Sequence, residues 1–319
     1  MHSPVSDKRV CPLCDSSESQ SIILLSAQEI AEANWSYRRN AFANWGIDTS
    51  EEFPIERCSN CAFVYAGRMP NPGFLDYVYD QLIDIEAARC ESYSPHNIAT
   101  RMEYLPTLLR LLGKGGKVLD YGCGFGPSLA LLRNIQGIET FGFETSVTRV
   151  QELSIWHSMV TLDFNRVREH GPFDAVILDN VLEHVPNPRE TVQSIAKLCR
   201  EDAFLYVSVP DVSQSYLDAQ IALSRKLKLL AMDINPWEHL NYFDLSHLDA
   251  LMESVGFVAL RQADIPGEVR VGLRPEGNIL PRLKNTLASM LREVRYVLTG
   301  EALPTANRRF YQYTGHVTA

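Results

Sequence analysis

The sequence predicts an α/β fold in which a mostly parallel sheet is packed with helices. Strand-like and helix-like segments alternate along most of the chain. Residues 173–178 (FDAVIL) form a near-continuous apolar run, which is typical of a parallel strand buried on both faces. Residues 117–128 (KVLDYGCGFGPS) indicate a short strand, a glycine-rich turn and the start of a helix. Such a turn lies at the sheet edge where ligands bind.

The glycine-rich turn allows a ligand to approach the backbone closely. Gly122, Gly124 and Gly126 can adopt positive φ angles without a steric penalty. A dinucleotide is disfavoured, because its pyrophosphate fingerprint requires a third glycine where this chain has Pro127. The carboxylate of Asp120, at the end of the strand, would repel a pyrophosphate and attract a cation. A turn that binds no ligand is the other alternative.

The segment VLDYGCGFG resembles the first motif of class I S-adenosylmethionine-dependent methyltransferases. The resemblance implies a Rossmann-like, seven-stranded, mostly parallel sheet and a cofactor that carries an ammonium and a sulfonium group. A second strand at residues 140–144 ends in an acid, which can accept hydrogen bonds from both ribose hydroxyls or be merely solvated. In this family the residues after the third strand line the adenine. The cofactor-binding residues implied are Asp120, Gly122, Cys123, Gly124, Glu144, Thr145, Asp163, Phe164 and Asn180.

Two later segments supply the candidate catalytic residues. Residues 179–185 (DNVLEHV) resemble the family's fourth motif, and residues 238–257 (EHLNYFDLSHLDALMESVGF) resemble the family again. The methyl group on a sulfonium is already activated, so the enzyme has to orient the acceptor and remove its proton. A histidine at the rim of a cleft can take a proton near neutral pH. The candidates are Glu183, His184, His239 and Tyr242, and a structural role is the alternative for each.

Cys11 and Cys14 form one CxxC pair, and Cys58 and Cys61 form a second. Two such turns can bind one zinc ion in a closed tetrahedral site, which stabilises the fold and has no open position for catalysis. The sequence therefore predicts a structural Zn²⁺ site in a module at residues 1–90. This module resembles the N-terminal part of a methyltransferase subgroup that includes C-methyltransferases of nucleotide-linked deoxysugars. Free structural cysteines and a redox role are the alternatives.

The rest of the chain is predicted to form two further parts. Residues 91–263 make up the cofactor-binding core, and a helical insertion at residues 211–240 is expected to cover the substrate. Residues 264–319 match the family poorly. We expect a helix at residues 283–298 and a last strand at residues 310–317, which would complete the sheet as its antiparallel seventh strand.

Charge and composition limit the possible classes of function. The 319-residue chain has a net charge of −9 at pH 7, which argues against a nucleic-acid partner because phosphate binding needs a basic face. No run of about 18 apolar residues occurs, so we expect no membrane contact. The N-terminus lacks the apolar core of a signal peptide. Seven cysteines, with two CxxC pairs among them, fit a reducing compartment, and we expect a cytoplasmic protein.

Together these observations predict a methyltransferase that uses S-adenosylmethionine (SAM) and a histidine general base to methylate carbon or oxygen of a small molecule. The resemblance to sugar-modifying enzymes favours a nucleotide-linked sugar or a secondary-metabolite intermediate as the acceptor. One alternative is a non-catalytic scaffold that binds SAM and zinc. The other is an RNA methyltransferase, against which the acidic composition argues. The sequence leaves open whether the protein forms a homodimer.

Overall fold

The computed structural model describes residues 5–33, 48, 50–70, 72–213, 216–218, 234–261 and 306–315. The helix expected at residues 283–298 lies outside these residues, as does most of the insertion expected at residues 211–240. Within the described part of the chain, no helix is both long enough and apolar enough to cross a membrane.

The N-terminal part combines small antiparallel sheets with short helices. Its elements are β1 Val5–Lys8, β2 Ser19–Ser26, α1 Ala27–Ala33, β3 Glu52–Cys58, β4 Val64–Ala66, β5 Arg68–Pro70, α2 Pro72–Tyr77, a π-helical turn Val78–Leu82 and α3 Ile85–Ser92. β1 pairs with β5, while β2, β3 and β4 are neighbours in a four-stranded sheet. One CxxC pair follows β1 and the other joins β3 to β4.

The helical spacing of residues 74–88 predicts one continuous helix, and this expectation is wrong. The structure has α2, then the π-helical turn, then α3. Asp84 explains the break, because its carboxylate accepts hydrogen bonds from the backbone N–H groups of Glu86 and Ala87, each at 3.1 Å. An acid in this position caps a new helix, so the chain restarts at α3.

The remaining elements, apart from β11, build the main sheet and the helices around it. They are α4 Pro95–Leu112, β6 Gly116–Tyr121, α5 Pro127–Leu132, β7 Ile138–Phe143, α6 Val147–Ser154, β8 Val160–Thr161, α7 Phe164–His170, β9 Phe173–Asp179, α8 Pro188–Ala196, β10 Cys199–Pro210, β11 Asn241–Tyr242, α9 Leu245–Glu253, β12 Phe257–Ala259 and β13 Ala306–Tyr313. Seven strands lie in the order β12-β13-β10-β9-β6-β7-β8. The pairs from β10 to β8 are parallel, and β13 is antiparallel to both of its neighbours. The predicted Rossmann-like, seven-stranded fold is confirmed.

Two boundaries in the sheet differ from expectation. The last strand is antiparallel as expected, but it begins at Ala306, because its pairing with β10 extends as far as Pro210. Residues 200–203 (REDA) predict a turn before a strand at residues 204–210, but they lie within the bounds of β10, which begins at Cys199. The register with β9 shifts between Cys199 and Phe204, and Asp202 has a φ of +64°, so the strand is irregular at this point.

The N-terminal part packs directly on the main sheet. Cys11, Cys58 and Phe63 belong to the same hydrophobic cluster as Phe243 and Leu248, which lie at and near the start of α9. The ring centroids of Phe63 and Phe243 are 5.0 Å apart. In addition, β11 pairs with β4 and so completes the four-stranded N-terminal sheet. The chain around β11 therefore belongs to both parts of the molecule, and it carries one of the candidate catalytic histidines.

Candidate active site

A cleft of about 780 Å³ opens at the carboxyl ends of β6, β7 and β9. Residues 121–122 and 143–146 form one side of it, and side chains from the segment between β5 and the end of α3 form another. The loop after β9 and residues 238–239 complete the lining. Open α/β sheets bind ligands at this edge, because the loops that follow parallel strands meet there.

The glycine turn after β6 is held against the end of β7 by its own backbone. The N–H groups of Gly122 and Cys123 both donate to the carbonyl oxygen of Phe143, at 2.8 and 3.0 Å. Gly122 has a φ of +76°, and a Cβ atom there would lie 2.8 Å from Cγ2 of Val181. A side chain at this position would strain the backbone and clash with the loop after β9. Gly124, with a φ of +58°, has open space where a Cβ would point.

Glu144, the acid that follows β7, is held by three backbone N–H groups. Its Oε1 accepts hydrogen bonds from Thr145 at 2.8 Å and Ser146 at 2.9 Å, and its Oε2 accepts one from Gly124 at 2.8 Å. The guanidinium of Arg149 lies 3.8 Å from Oε2. A carboxylate has about four lone-pair sites. Glu144 can therefore hold the glycine turn and still accept a hydrogen bond from a ligand hydroxyl in the cleft, which it lines.

Asp120 is buried behind the glycine turn, with only 3% of its surface exposed. Burial raises the pKa of its carboxyl to about 7, while the guanidinium of Arg101 acts in the opposite direction. Two neighbouring acids, Asp179 and Glu144, raise this pKa further. Arg101 is itself paired with Asp179 at 3.4 Å. The charge on Asp120 is therefore sensitive to a cation bound in front of it, because a nearby positive charge favours the ionised form.

His184 is a neutral imidazole whose tautomer is determined by its surroundings. Its Nδ1 lies 2.9 Å from the carbonyl oxygen of Glu238, which can only accept, so Nδ1 carries the hydrogen. The hydroxyl of Tyr79 is 3.1 Å from the same nitrogen. Burial, and then the neighbouring His239, lowers the pKa of His184 to about 3. Its Nε2 therefore has a free lone pair, and this atom lies 3.8 Å from Oε1 of the buried Glu183.

His239 lines the cleft beside His184. The two ring centroids are 4.8 Å apart, and the ring planes meet at 74°. A carboxyl oxygen of Glu183 and one ring nitrogen each of His184 and His239 lie within 4.8 Å of one another. Two chemical roles are open to such a group: it can accept a proton from a bound acceptor, or it can bind a cation.

The structure brings many of the predicted site residues together around the cleft. Those that line it are Gly122, Glu144, Thr145, Asn180, His184 and His239. Four others lie just behind this lining. Asp120, Cys123 and Gly124 belong to β6 and its turn, and Glu183 is buried next to His184.

Three predicted site residues lie elsewhere. The carboxylate of Asp163 caps α7 by accepting a hydrogen bond from the backbone N–H of Asn165 at 2.8 Å. Phe164 packs edge-on against Tyr121 and Phe143, with centroid distances of 6.2 and 5.6 Å, and these two rings line the cleft in front of it. Tyr242 is 2% exposed and packs in the hydrophobic cluster of the N-terminal part, away from the lining.

Two cleft residues were not singled out by sequence reasoning, and a third was one of two tyrosines that the sequence could not rank. Tyr121 lies at the end of β6 and Arg149 lies in the first turn of α6, and both line the cleft. No sequence pattern marks either of them as a site residue. Tyr77 and Tyr79 were indistinguishable in sequence, since both lie in one segment of helical spacing. Only the π-helical turn decides that the hydroxyl of Tyr79 reaches His184.

The four cysteines of the two CxxC pairs come together. Cys11 Sγ lies 3.6 Å from Cys61 Sγ, and Cys14 Sγ lies 3.5 Å from Cys58 Sγ. All four sulfur atoms are within 4.8 Å of one another. A tetrahedral site with Zn–S bonds of about 2.3 Å has sulfur atoms roughly 3.8 Å apart, so this cluster has the dimensions and the ligand chemistry of a zinc site. The backbone N–H of Asn60 also points at Cys58 Sγ, at 3.4 Å, as is typical of a thiolate ligand.

Comparison with known proteins identifies the family. A family profile described as a methyltransferase domain matches residues 93–262, which is more than half of the chain. The chain belongs to this methyltransferase family. The matched region contains the glycine turn, Glu144, both histidines and six of the seven strands of the main sheet.

This methyltransferase is similar to curated relatives over part of its length. The ubiquinone biosynthesis O-methyltransferase of Cupriavidus pinatubonensis is 31% identical over 150 residues, which cover 43% of this chain and 58% of the relative. The enzyme of the same name from Glaesserella parasuis is 33% identical over 137 residues, covering 39% and 58%. The chain thus spans less than two thirds of the length of these relatives.

Solved structures with a similar fold include the plantazolicin methyltransferase BpumL in complex with SAH. It has 13% sequence identity and a TM-score of 0.47, and the match covers 75% of this methyltransferase and 94% of BpumL. The [4+2]-cyclase SpnF has 14% identity and a TM-score of 0.46, with 76% and 94% covered.

Proposed function

We propose that this protein transfers the methyl group of SAM to a small-molecule acceptor bound in the cleft. The observation that carries the proposal is that one cleft contains both a backbone-anchored carboxylate, Glu144, and a pair of histidines, His184 and His239. Membership of the methyltransferase family supports it. The cleft volume of about 780 Å³ lies within the range of small-molecule sites and leaves room for more than one ligand.

The donor end of the cleft is suited to a cation that also carries a ribose. Glu144 would accept a hydrogen bond from a ribose hydroxyl, and Asp120 would contribute negative charge from behind the glycine turn. Thr145 and Asn180 complete the lining, while the family resemblance assigns the adenine to Asp163 and Phe164. Bound here, SAM supplies a methyl group that its sulfonium charge has already activated. The residues of the chain have to exclude water, align the acceptor and take up its proton.

We assign the general base to His239. His184 is a weak base, because burial lowers its pKa to about 3 and its Nδ1–H already donates to the carbonyl of Glu238. Being neutral, His184 places no positive charge beside His239, so a proton taken up by His239 meets little repulsion from it. The carboxyl oxygen Oε1 of Glu183 lies 3.8 Å from Nε2 of His184, where it can stabilise positive charge that develops on the pair during transfer.

The charges of the cleft restrict the acceptor. Of the described residues that line it, Arg149 carries a full positive charge, whereas Asp80, Glu91, Glu144 and Glu238 are acids. A phosphate group would be repelled from such a lining. We therefore propose that the part of the acceptor inside the cleft is neutral, such as a sugar ring or a phenol. In a nucleotide-linked sugar, the diphosphate would lie outside the cleft. The relatives named ubiquinone biosynthesis O-methyltransferase support an oxygen atom as the methylated position.

The test combines binding with product analysis. Calorimetry measures the affinity for SAM, and mass spectrometry then searches for a gain of one methyl group in a panel of nucleotide sugars, phenols and natural-product intermediates. We expect SAM to bind and one class of acceptor to be methylated. Absence of SAM binding would contradict the proposal. Binding without turnover on any member of the panel would favour a non-catalytic scaffold, and salt-dependent methylation of RNA would favour an RNA methyltransferase.

A second candidate role for the histidine pair is metal binding. The favouring observation is the close approach of Glu183, His184 and His239, a two-histidine, one-carboxylate set typical of catalytic metal sites. A divalent cation held there would lower the pKa of an acceptor hydroxyl and would replace the general base. We propose in addition that the four cysteines bind one structural zinc ion.

Elemental analysis separates these roles. If only the cysteines bind metal, the purified protein holds one zinc ion per chain, and His239→Asn leaves this content unchanged. If the histidine pair also binds metal, the content approaches two ions per chain and falls by one in His239→Asn. In either case Cys14→Ser should lower the zinc content and the thermal stability, because a structural metal contributes directly to folding.

A further inference from the structure

The two loops that carry the candidate catalytic histidines are joined by one side chain from the beginning of the chain, Arg9. Its Nη1 donates to the carbonyl oxygens of Leu240, at 3.0 Å, and Ala66, at 3.1 Å. Its Nη2 donates to the carbonyl oxygen of Pro186 at 2.8 Å and, at 3.4 Å, to Oδ1 of Asn241. Leu240 directly follows His239 in the sequence, and Pro186 lies two residues after His184.

We propose that Arg9 is a positioning residue for the His184–His239 pair, an inference that rests on the proposed methyl transfer. The planar guanidinium has donors that point in two directions, and here they reach the β4 strand and both histidine loops at once. No shorter or more flexible side chain can make these bonds from one rigid group. Arg9 thus sets the distance between the two loops, and with it the separation of the two imidazole rings.

The chemistry of its partners supports a role in geometry rather than in charge neutralisation. The four acceptors are three backbone carbonyls and one amide oxygen, and none of them is a carboxylate. The Arg9 side chain is partly buried among these acceptors. Burying a charge without a counter-ion is costly, although carbonyl hydrogen bonds reduce the cost. If packing were the only requirement, an apolar side chain would serve better.

A second set of contacts shows that the two loops form one unit. The side-chain amide of Asn241 donates to the carbonyl oxygens of Leu182 at 2.8 Å and Val185 at 2.7 Å, on either side of the Glu183–His184 dipeptide. The backbone N–H groups of Leu240 and Asn241 both donate to the carbonyl of Glu183, at 2.6 and 3.1 Å. Asn241 therefore binds one loop to the other, and Arg9 completes the connection from the opposite end.

The N-terminal part determines where Arg9 lies. Its backbone N–H donates to the carbonyl of Gly67 at 2.8 Å, just before β5. Two residues later the chain reaches Cys11 of the cysteine cluster, and the guanidinium lies 5.8 Å from the ring centroid of Tyr65 on β4. The N-terminal module thereby reaches the candidate active site through a defined side chain. This gives the module a part in catalytic geometry beyond its own stability.

The test compares Arg9→Met and Arg9→Lys with wild type, and uses Arg68→Met as the matched control. Arg68 lies in the same module, but it pairs with the carboxylate of Glu51 at 2.7 Å and contacts neither histidine loop in the described structure. We expect Arg9→Met to lower kcat by about 10- to 100-fold, because small misplacements of catalytic groups have effects of this size. The affinity for SAM should change less than about twofold. Arg9→Lys should retain an intermediate kcat, since an ammonium has donors but no rigid fork.

A second measurement does not depend on turnover. NMR of protein labelled with ¹⁵N in its histidine rings reports the hydrogen on Nδ1 of His184. In wild type we expect a neutral Nδ1–H tautomer protected by the bond to Glu238, and in Arg9→Met we expect its protection and chemical shift to change. The Arg68→Met spectrum should match wild type. A pH profile of kcat adds a third readout, because it reports on the groups that exchange protons during the reaction.

These readouts separate failure of the inference from failure of the proposed function. If wild type methylates an acceptor and both Arg9 variants keep its kcat, pH profile and histidine signals, the positioning role is wrong. If kcat falls only in proportion to the folded fraction, Arg9 is merely structural and the inference is again wrong. If wild type shows no methyl transfer but the histidine signals change in Arg9→Met or Arg9→Lys, the positioning role stands and the proposed function does not.

Discussion

The two ends of the cleft are built in different ways. The centre of the donor end comes from one continuous stretch, residues 120–149, in which the glycine turn and Glu144 bond to backbone groups of the same stretch. The acceptor end is assembled from Tyr79, from the loop after β9 and from residues 238–241, and Arg9 connects the last two of these segments. A local motif is enough to specify the first. The second exists only when the whole chain has folded.

The two ends also differ in their electrostatics. Burial raises the pKa of Asp120 to about 7 at the donor end and lowers the pKa of His184 to about 3 at the acceptor end. Both shifts favour the uncharged form, because burial penalises charge. At the donor end a bound cation reverses this and ionises the acid. At the acceptor end the neutral His184 places no positive charge beside the His239 ring. The comparison predicts that substitutions at the donor end alter the affinity for SAM, while substitutions at the acceptor end alter kcat.

The largest effect is expected at the acceptor end. His239→Asn should lower kcat by about 10²- to 10⁴-fold, the usual contribution of a positioned general base, without changing the affinity for SAM. Steady-state kinetics and calorimetry measure the two quantities separately. His96→Asn, at an exposed position of α4, is the control and should behave as wild type. Should His239→Asn keep full turnover while His184→Gln abolishes it, the two roles are exchanged.

A smaller effect is expected at the donor end. Glu144→Ala should weaken SAM binding by about 10- to 100-fold, because hydrogen bonds to a charged group contribute roughly 1.5–3 kcal/mol. The loss should appear in the calorimetric dissociation constant, together with a lower melting temperature, since Glu144 also holds Gly124, Thr145 and Ser146. Glu139→Ala serves as the control, because Glu139 is an exposed acid on β7, the strand that ends just before Glu144. Equal SAM affinities in the two variants would show that Glu144 does not bind the cofactor.

The pH dependence of SAM binding provides a third test. A bound cation favours ionised Asp120, so the affinity should rise with pH across the pKa of about 7 in the free protein and then level off. The change can reach tenfold per pH unit at most. In the free protein the same raised pKa means that the folded state holds more protons than the unfolded state between about pH 4 and 7. The contribution of Asp120 to the free energy of unfolding therefore declines as the pH rises through that window.

Asp120→Asn is the variant that isolates this effect. It should flatten the dependence of SAM affinity on pH between about 6 and 8, and it should reduce the affinity at pH 8 to that seen at low pH. Calorimetry in buffers of different ionisation enthalpy also counts the protons released on binding. A pH dependence that persists unchanged in Asp120→Asn would assign it to another group.

The smallest effect is expected where α3 meets α6. Arg89 and Glu152 form a bidentate ion pair there, at 2.5 and 3.0 Å, but both side chains are more than a third exposed. Arg89→Gln should therefore lower the free energy of unfolding only slightly and leave kcat nearly unchanged. Urea unfolding measures the first quantity. A large loss of kcat would mean that α3, which lines one side of the cleft, has to close over the ligands during the reaction.

The elements that the sequence predicted well are those determined by neighbouring residues. The positive φ of Gly122 and the strand end at Glu144 follow from a motif of a few residues. The continuous helix expected at residues 74–88 is wrong, because a single capping acid, Asp84, outweighs the apolar spacing. Both histidines were candidates, but the sequence gives no means of ranking them. Their ranking depends on a carbonyl 54 residues away and on burial.

By itself, the sequence determined the α/β class, the glycine turn, the acid after the second strand of the core and the CxxC spacing. Such features depend on backbone dihedral angles and on hydrogen bonds between residues a few positions apart. Only the tertiary structure decided that Asp120 is buried, that Tyr242 packs away from the cleft and that Arg9 reaches both histidine loops. Burial and the pKa values it shifts depend on which distant segments come into contact, and that is a property of the complete fold.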